Sequence, residues 1–354
     1  MRYLAGMAIT LTSLTDLATF GFDDIIDARA PSEYLDDHIP GAISLPVLDD
    51  EERARVGTIY KQVSPFTARK VGAALVARNV AAHLEGPLAD KTGGWRPLVY
   101  CWRGGQRSGS FATILSQVGW RVETLAGGYK AWRGLVVKAV YDDPFPAPVI
   151  VLDGNTGSAK TEVLNLLPAR GVQVIDLEGM ANHRGSVFGS LGAQPSQRSF
   201  EARLAMAMAA LDPARPVVVE AESAKVGQCR LPPRLWRAMC DAPRISIEAP
   251  RPERAAYLMR AYDDLVADPE RLSRIIDGLR PLHSAEVIAS WQTMAAIGDY
   301  LSLADGLMEA HYDPRYNRHR SRMTAPVTGI AAASLAPEAL PGLADRLAEA
   351  VHFR

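Results

Sequence analysis

The chain has 354 residues, 48% of them hydrophobic and 22% charged, a balance that supports packed cores and excludes a disordered or collagen-like protein. Lys plus Arg number 39 against 40 Asp plus Glu, so total charge gives no pull toward nucleic acid and any such binding needs a local patch. The three cysteines include no Cys-x-x-Cys pair, which disfavours a disulfide framework and structural zinc and fits a reducing cytoplasm.

At roughly 150 residues per domain the length implies two or three domains. The opening MRYLAGMAITLTSL is broken by threonines and reads as mature sequence, and no stretch approaches the ~18 apolar residues of a membrane span. GFDDIIDARA at 21–30 and PLVYCWRGG at 97–105 are short apolar runs with the look of buried parallel strands, the first closed by Asp27 and Arg29 and the second by Cys101. Helical patterns, FTARKVGAALVARNVAAHL and GSFATILSQVGW, and a short strand, RVETLAGG, complete an α/β domain assigned to 12–138. The three prolines of YDDPFPAP mark a linker at 139–148. The pattern restarts with PVIVLDGNTGSAKTEVLNLL, VQVIDLEG and PVVVEAES, a second α/β domain over 149–250. From 251 to 354 the spacing is helical, as in RPERAAYLMRAYDDLV.

The first chemical motif is Cys101-Trp102-Arg103-Gly104-Gly105-Gln106-Arg107-Ser108, between a strand and a helix. Two glycines let backbone N–H groups close around one sulfur, and Arg103 and Arg107 add positive charge that lowers a thiol pKa, so a thiolate or persulfide would be stabilised. Together with DARAPSEYLDDHIPGAISLP at 27–46 and LAGGYKAWR at 125–133, the loop resembles that of the rhodanese family, in which these segments frame a sulfur-carrying cysteine.

The second motif is Gly154-Asn155-Thr156-Gly157-Ser158-Ala159-Lys160-Thr161, between the strand VIVLD and the helix EVLNLL. This is the context of a P-loop: N–H groups surround a phosphate, Lys160 neutralises its oxygens, and Thr161 can ligate magnesium. Ala159 departs from the usual glycine and is expected to require a negative φ. Glu220 and Glu222, at the end of PVVVEAES, are the candidates for the carboxylate opposite a P-loop.

The order of these motifs, with VGTIYKQ at 56–62, DLEGMANHRGSVFG at 176–189 and EAESAKVG at 220–227, resembles the tRNA 2-selenouridine synthase family over nearly the whole chain. The resemblance implies a rhodanese-like domain followed by a P-loop domain. It further implies geranylation of wobble 2-thiouridine by geranyl diphosphate, then replacement of sulfur by selenium from selenophosphate. On this reading the P-loop holds diphosphate, Cys101 serves the selenium step, and no covalently bound cofactor, resident metal, membrane or DNA is expected, although magnesium at Thr161 is compatible with it. His183, Arg184 and Ser186 are a candidate polar cluster, with Arg184 assigned to phosphate or tRNA. Candidate tRNA contacts are Lys61 and the basic segment Arg315, Arg318, Arg320 and Arg322, interleaved with Tyr312 and Tyr316. The rival reading is an ATP-dependent sulfurtransferase using the same cysteine.

Overall fold

The computed structural model describes residues 8–320 and 325–353. Its contacts divide into two units: the described residues up to Pro144 with Pro195–Ala210, and Phe145–Gln194 with the described residues from Leu211 onward.

In the first unit five short strands, β1 (Ala8–Ile9), β2 (Asp24–Asp27), β3 (Ile43–Ser44), β4 (Pro97–Tyr100) and β5 (Glu123–Leu125), make a parallel sheet ordered β1-β5-β4-β2-β3. The edge strands β1 and β3 have two residues each, too few for a periodic signal, and β1 carries the domain back beyond residue 12 to Ala8. The helix Pro65–Glu85 begins where the Ser64 hydroxyl accepts the N–H groups of Phe66 and Thr67, with Pro65 fixing the first φ. It buries Leu75, Val76 and Val80, and the helix Gln106–Val118 buries Phe111 and Leu115, in one core with Ile26 and Val99.

Two further limits differ from the sequence reading. The helix Gly128–Val137 runs on through a π-helical turn, Lys138–Asp142, so the chain leaves helical structure only at Asp143, just before the prolines, rather than at 139. The helix Gln197–Ala209, assigned from sequence to the second domain, belongs to the first unit: Arg133 pairs with Glu201, Tyr141 donates to Glu201, and Ser196 donates to the Asp36 carbonyl. Linear patterning cannot show this return, because the helix's apolar face suits either core.

Within the first core lies a buried ion pair. Arg29 and Asp27 are 1% and 0% exposed; the guanidinium makes contacts of 2.6–3.0 Å to the carboxylate and one to the Asp37 carbonyl, and the Tyr100 hydroxyl donates to Asp27 at 2.7 Å.

In the second unit β6 (Val149–Gly154), β7 (Gln173–Ile175), β8 (Val217–Glu220), β11 (Arg244–Glu248) and β12 (Val327–Ala331) form a parallel sheet ordered β12-β11-β6-β8-β7. A two-stranded antiparallel ribbon, β9 (Lys225–Val226) and β10 (Cys229–Arg230), stands apart. β6 is central and the P-loop follows it. The region from Arg251 is mostly helical, as expected, yet it also supplies β12 and the helix Leu340–His352, whose Leu343, Leu347 and Val351 bury with Val163, Leu167 and Ile245. A separate helical core gathers Leu272, Ile276, Ile288, Trp291 and Leu303. Among the described residues no helix is long and apolar enough to cross a membrane.

Removing one partner of a buried pair leaves the other charge uncompensated. Arg29→Met is therefore expected to lower stability by about 3–5 kcal/mol, read as a shift in the urea midpoint of the first unit.

Candidate functional site

In the first unit the Cys101 side chain is 3% exposed at the end of β4. Its sulfur accepts the Ser108 hydroxyl at 3.2 Å and the Gly105 N–H at 3.4 Å. Burial opposes ionisation of the thiol, but these hydrogen bonds and the Arg107 charge outweigh it and hold the pKa below its ordinary value. Of the expected ring of N–H donors, Gly105 is the one bonded to sulfur from within the loop, and the stronger donor is Ser108, one turn into the helix. Arg103 is exposed. Arg107 is bonded to Glu33 at 2.7 Å, so its charge is shared. Gln106 is exposed and opens the helix, and Trp102 tilts against Tyr129 with centroids 5.3 Å apart.

The loop is clamped from a second segment. Tyr129 N–H donates to the Cys101 carbonyl at 2.8 Å and Lys130 N–H to the Trp102 carbonyl at 3.1 Å. Gly128 (φ +57°) and Gly104 (φ +64°) pack backbone to backbone, and a Cβ on Gly128 would overlap the Cys101 carbonyl. The Gly-Gly pair of LAGGYKAWR is thus required by close approach rather than by a turn alone.

In the second unit the P-loop spans Gly154–Ala159 and leads into the helix Lys160–Leu166. Lys160 donates to the Gly154 carbonyl at 2.8 Å and lies over the Tyr316 ring at 5.5 Å. Burial works against its charge, yet the surrounding Tyr316, Glu178, Glu222 and Asp153 raise its pKa. The Ser158 hydroxyl is buried and has no hydrogen-bond partner among the described residues, an open donor within the loop. Asn155 donates to Asp313 at 3.0 Å, and Arg254 bridges Asp313 and the Thr156 carbonyl. Gly157 (φ +82°) lies where a Cβ would come within 2.9 Å of the Arg254 carbonyl and Leu258.

The expectation for Ala159 is overturned: it sits at φ +59°. The left-handed conformation costs an alanine about 1 kcal/mol, and its methyl group, 2% exposed within the core that holds Val163, offsets part of that.

Of the two candidate carboxylates, Glu222 lines the cavity over the P-loop. Burial first, then the Glu178 charge, pushes its pKa well up, and it is hydrogen-bonded to Glu178. Glu220 instead accepts the Leu177 N–H at 2.8 Å and secures the backbone after β7. Sequence reading missed Glu178, whose carboxylate accepts the Thr161 hydroxyl at 2.6 Å; its place in the segment DLEG was the available signal. Gly185 (φ +69°) packs against both carboxylates, which a Cβ would strike. Beside it, Arg184 pairs with Asp264 at 2.9 Å and covers the Tyr262 ring, Ser186 shares a hydrogen bond of 2.9 Å with the Tyr262 hydroxyl, and the His183 ring accepts the Gly185 N–H at 3.1 Å. Arg184 and Ser186 line the same cavity, which encloses about 580 Å³.

The basic C-terminal segment does not form one nucleic-acid face. Arg320 is bound to Asp153 at 2.9 Å below the P-loop, where Arg244 meets the same carboxylate at 3.2 Å. Arg315 lines the P-loop cavity and its guanidinium donates to His311 Nε2 at 3.2 Å. Because arginine only donates, His311 carries its proton on Nδ1 and passes a hydrogen bond of 2.9 Å to His283. Arg318 is exposed but engaged in interactions of its own, and Arg322 lies outside the described residues. Lys61 is exposed near the end of the helix Asp50–Gln62.

Replacing Ser108 by alanine removes the principal donor to the Cys101 sulfur at almost constant volume. The thiol pKa is expected to rise, moving the pH profile of iodoacetamide alkylation to higher pH and slowing the reaction at pH 7 by about 3–10-fold. An unshifted profile would mean that the hydroxyl does not stabilise the thiolate.

Two family models match the chain. Residues 147–275 match the model of the tRNA 2-selenouridine synthase AAA domain, and residues 10–135 match that of the Rhodanese-like domain. The tRNA 2-selenouridine synthase of Aeromonas salmonicida (strain A449) is 40% identical over 260 residues, covering 72% of this chain and 68% of its own. That of Pseudomonas syringae pv. tomato is 33% identical over 335 residues, covering 85% and 89%, and that of Bordetella petrii 33% over 333 residues, covering 84% and 87%. With a rhodanese-type cysteine loop in one unit, a P-loop in the other and this likeness along both, the chain belongs to the tRNA 2-selenouridine synthase family.

Proposed function

We propose that this protein is a tRNA-modifying enzyme that converts wobble 2-thiouridine to 2-selenouridine, with geranyl diphosphate used at the P-loop and selenophosphate used at Cys101. The observation that carries the geranyl step is an apolar pocket opening off the P-loop cavity. The two share Thr156, Ser186, Leu258, Tyr262 and Tyr312, and beyond them the pocket is walled by Phe188, Leu272, Leu303, Ala304 and Leu307. A diphosphate on the loop would direct an isoprenoid chain into this wall, where each buried CH2 contributes about 0.8 kcal/mol. A nucleoside has polar edges that such a wall leaves unpaired.

In the first step the thiocarbonyl sulfur attacks the first carbon of the geranyl group, the carbon–oxygen bond breaks, and diphosphate leaves while the base loses its N3 proton. Negative charge grows on the departing oxygens, facing Lys160, the loop N–H groups and the Ser158 hydroxyl, and Arg315 stands at the cavity wall. Magnesium fits the oxygen-only donors there, the Thr161 hydroxyl with Glu178 and Glu222; it would add positive charge against the diphosphate.

In the second step the Cys101 thiolate adds to C2 of the geranylated base and geranylthiol departs. Selenophosphate selenium then displaces Cys101, and water releases phosphate. Selenium in selenophosphate is already at the selenide level, so storing it on Cys101 as a perselenide would need an oxidant, whereas displacement at C2 needs none. The Ser108 and Gly105 hydrogen bonds favour the ionised form of the attacking sulfur.

Two variants test the donor. Lys160→Ala is expected to lose both inorganic diphosphate binding and geranyl transfer by 100-fold or more, on the order of a buried charge-assisted contact. Ala304→Phe fills the apolar pocket, so KM for geranyl diphosphate should rise at least about tenfold while inorganic diphosphate still inhibits. Geranyl transfer untouched by Ala304→Phe, or ATP hydrolysis coupled to base modification, would contradict the assignment.

A further inference from the structure

The first unit carries a basic surface of which only Lys61 has so far been given a candidate role. Between Arg53 and Lys70 the sequence holds five cations, Arg53, Arg55, Lys61, Arg69 and Lys70, and no carboxylate. The segment is the greater part of the helix Asp50–Gln62, a tight connection, and the first turns of the helix Pro65–Glu85. One helical hairpin therefore bears all five, and all five are exposed. Among the described residues Arg53 alone of them forms an ion pair, a 3.8 Å contact with Glu33. The same hairpin leaves Tyr60 56% and Phe66 70% exposed, aromatic area that a domain surface otherwise covers.

Two grooves run along this hairpin and meet at Tyr60. One, of about 700 Å³, is bounded by Arg53, Arg198 and, from the cysteine loop, Trp102 and Arg107, with Glu33 and Asp36 pairing these arginines; the other, of about 260 Å³, is bounded by Arg69 and Ser110; Val56, Tyr60 and Arg107 line both. Arg53, Val56, Gly57 and Tyr60 fall at i, i+3, i+4 and i+7, so one helix face builds the wall. Arg55, Lys61, Arg69 and Lys70 without ion pairs among the described residues, exposed aromatic rings and a groove beside a reactive cysteine are what a single-stranded loop flanked by a duplex stem satisfies: phosphates meet the charges and a splayed base stacks on the ring. An acidic protein would meet the charges but has no use for the groove.

We propose that the helical hairpin Asp50–Glu85 is the docking surface for an RNA stem-loop, with phosphates on Lys61, Arg69 and Lys70 and one unstacked base against Tyr60 beside the Cys101 loop. The proposal rests on the reading that the substrate is tRNA, and it moves RNA contact from the C-terminal arginines, two of which serve the P-loop region, to the unit that holds the sulfur.

The test is fluorescence polarisation with a labelled anticodon stem-loop RNA containing 2-thiouridine, titrated with the full chain at several salt concentrations. The triple variant Lys61→Gln, Arg69→Gln, Lys70→Gln is expected to weaken binding at least about tenfold and to lower the log–log salt slope by about two to three, near 0.7–0.9 for each phosphate left without its cation. A charge-matched triple elsewhere, Arg121→Gln, Lys225→Gln, Arg274→Gln, should change affinity less than about twofold, since it removes only diffuse charge. Tyr60→Ala takes away the stacking ring and should weaken binding about fivefold or more with the slope unchanged. Melting temperatures equal to wild type show that each variant is folded. Wild-type binding that survives the hairpin triple with the same slope overturns the surface and leaves the tRNA reading standing. A wild-type protein that does not bind the RNA overturns both.

Discussion

Burial resists negative charge, and each unit of this protein gathers donors fit for an anion where burial is substantial. A thiolate at Cys101 is tolerable because donors converge on the sulfur, one from the backbone at Gly105 and one from the helix at Ser108. A diphosphate over Lys160 would be tolerable for the same reason, with loop N–H groups and a fixed ammonium in place of water. Both sites stand at the carboxyl end of a central parallel strand, β4 and β6, where the chain turns into a helix. That is where open α/β sheets concentrate ligand chemistry.

Such donors work only if their backbone is held. In the first unit the Gly127–Gly128 turn braces the cysteine loop by direct hydrogen bonds to the Cys101 and Trp102 carbonyls. The buried Arg29 extends the brace, since its guanidinium packs on the Tyr129 ring at 4.0 Å while Tyr129 donates to Asp37 at 2.7 Å. In the second unit Arg254 and Asp313 tie the P-loop to the helical region, and Asp153 beneath the loop is held ionised: burial opposes this, but Arg320 and then Arg244 prevail. Arg254 and Arg320 therefore serve the rigidity of the loop. The left-handed Ala159 belongs to the same logic, a strained residue whose position is fixed by the core around its methyl group.

The parts of this architecture that were legible in the sequence are those with local signatures. β4 and β6 are continuous apolar runs, the cysteine loop and P-loop are contiguous, and Lys160 and Cys101 follow from their motifs. What was not legible depends on distance in the chain. Ser108 closed the cysteine motif without a role of its own, Glu178 was visible only as part of the segment DLEG, and Arg320 read as a candidate tRNA contact because its partner Asp153 lies 167 residues away. The two-residue strands β1 and β3 carry no period. The helix Gln197–Ala209 has an apolar face that says it packs but not on which unit. Glu220 and Glu222 were indistinguishable by position, since the continuous apolar run before them carries no alternation, and only the fold separates the backbone anchor from the cavity carboxyl.

The central claim is that geranyl transfer needs the P-loop while selenium incorporation needs the Cys101 thiolate. It is tested most directly by incubating wild type and Cys101→Ala with 2-thiouridine tRNA, geranyl diphosphate and selenophosphate, then weighing the nucleosides by mass spectrometry. The account predicts 2-selenouridine from wild type and accumulated S-geranyl-2-thiouridine from Cys101→Ala. Equal yields of 2-selenouridine from both proteins, or no geranylated nucleoside from either, would contradict it.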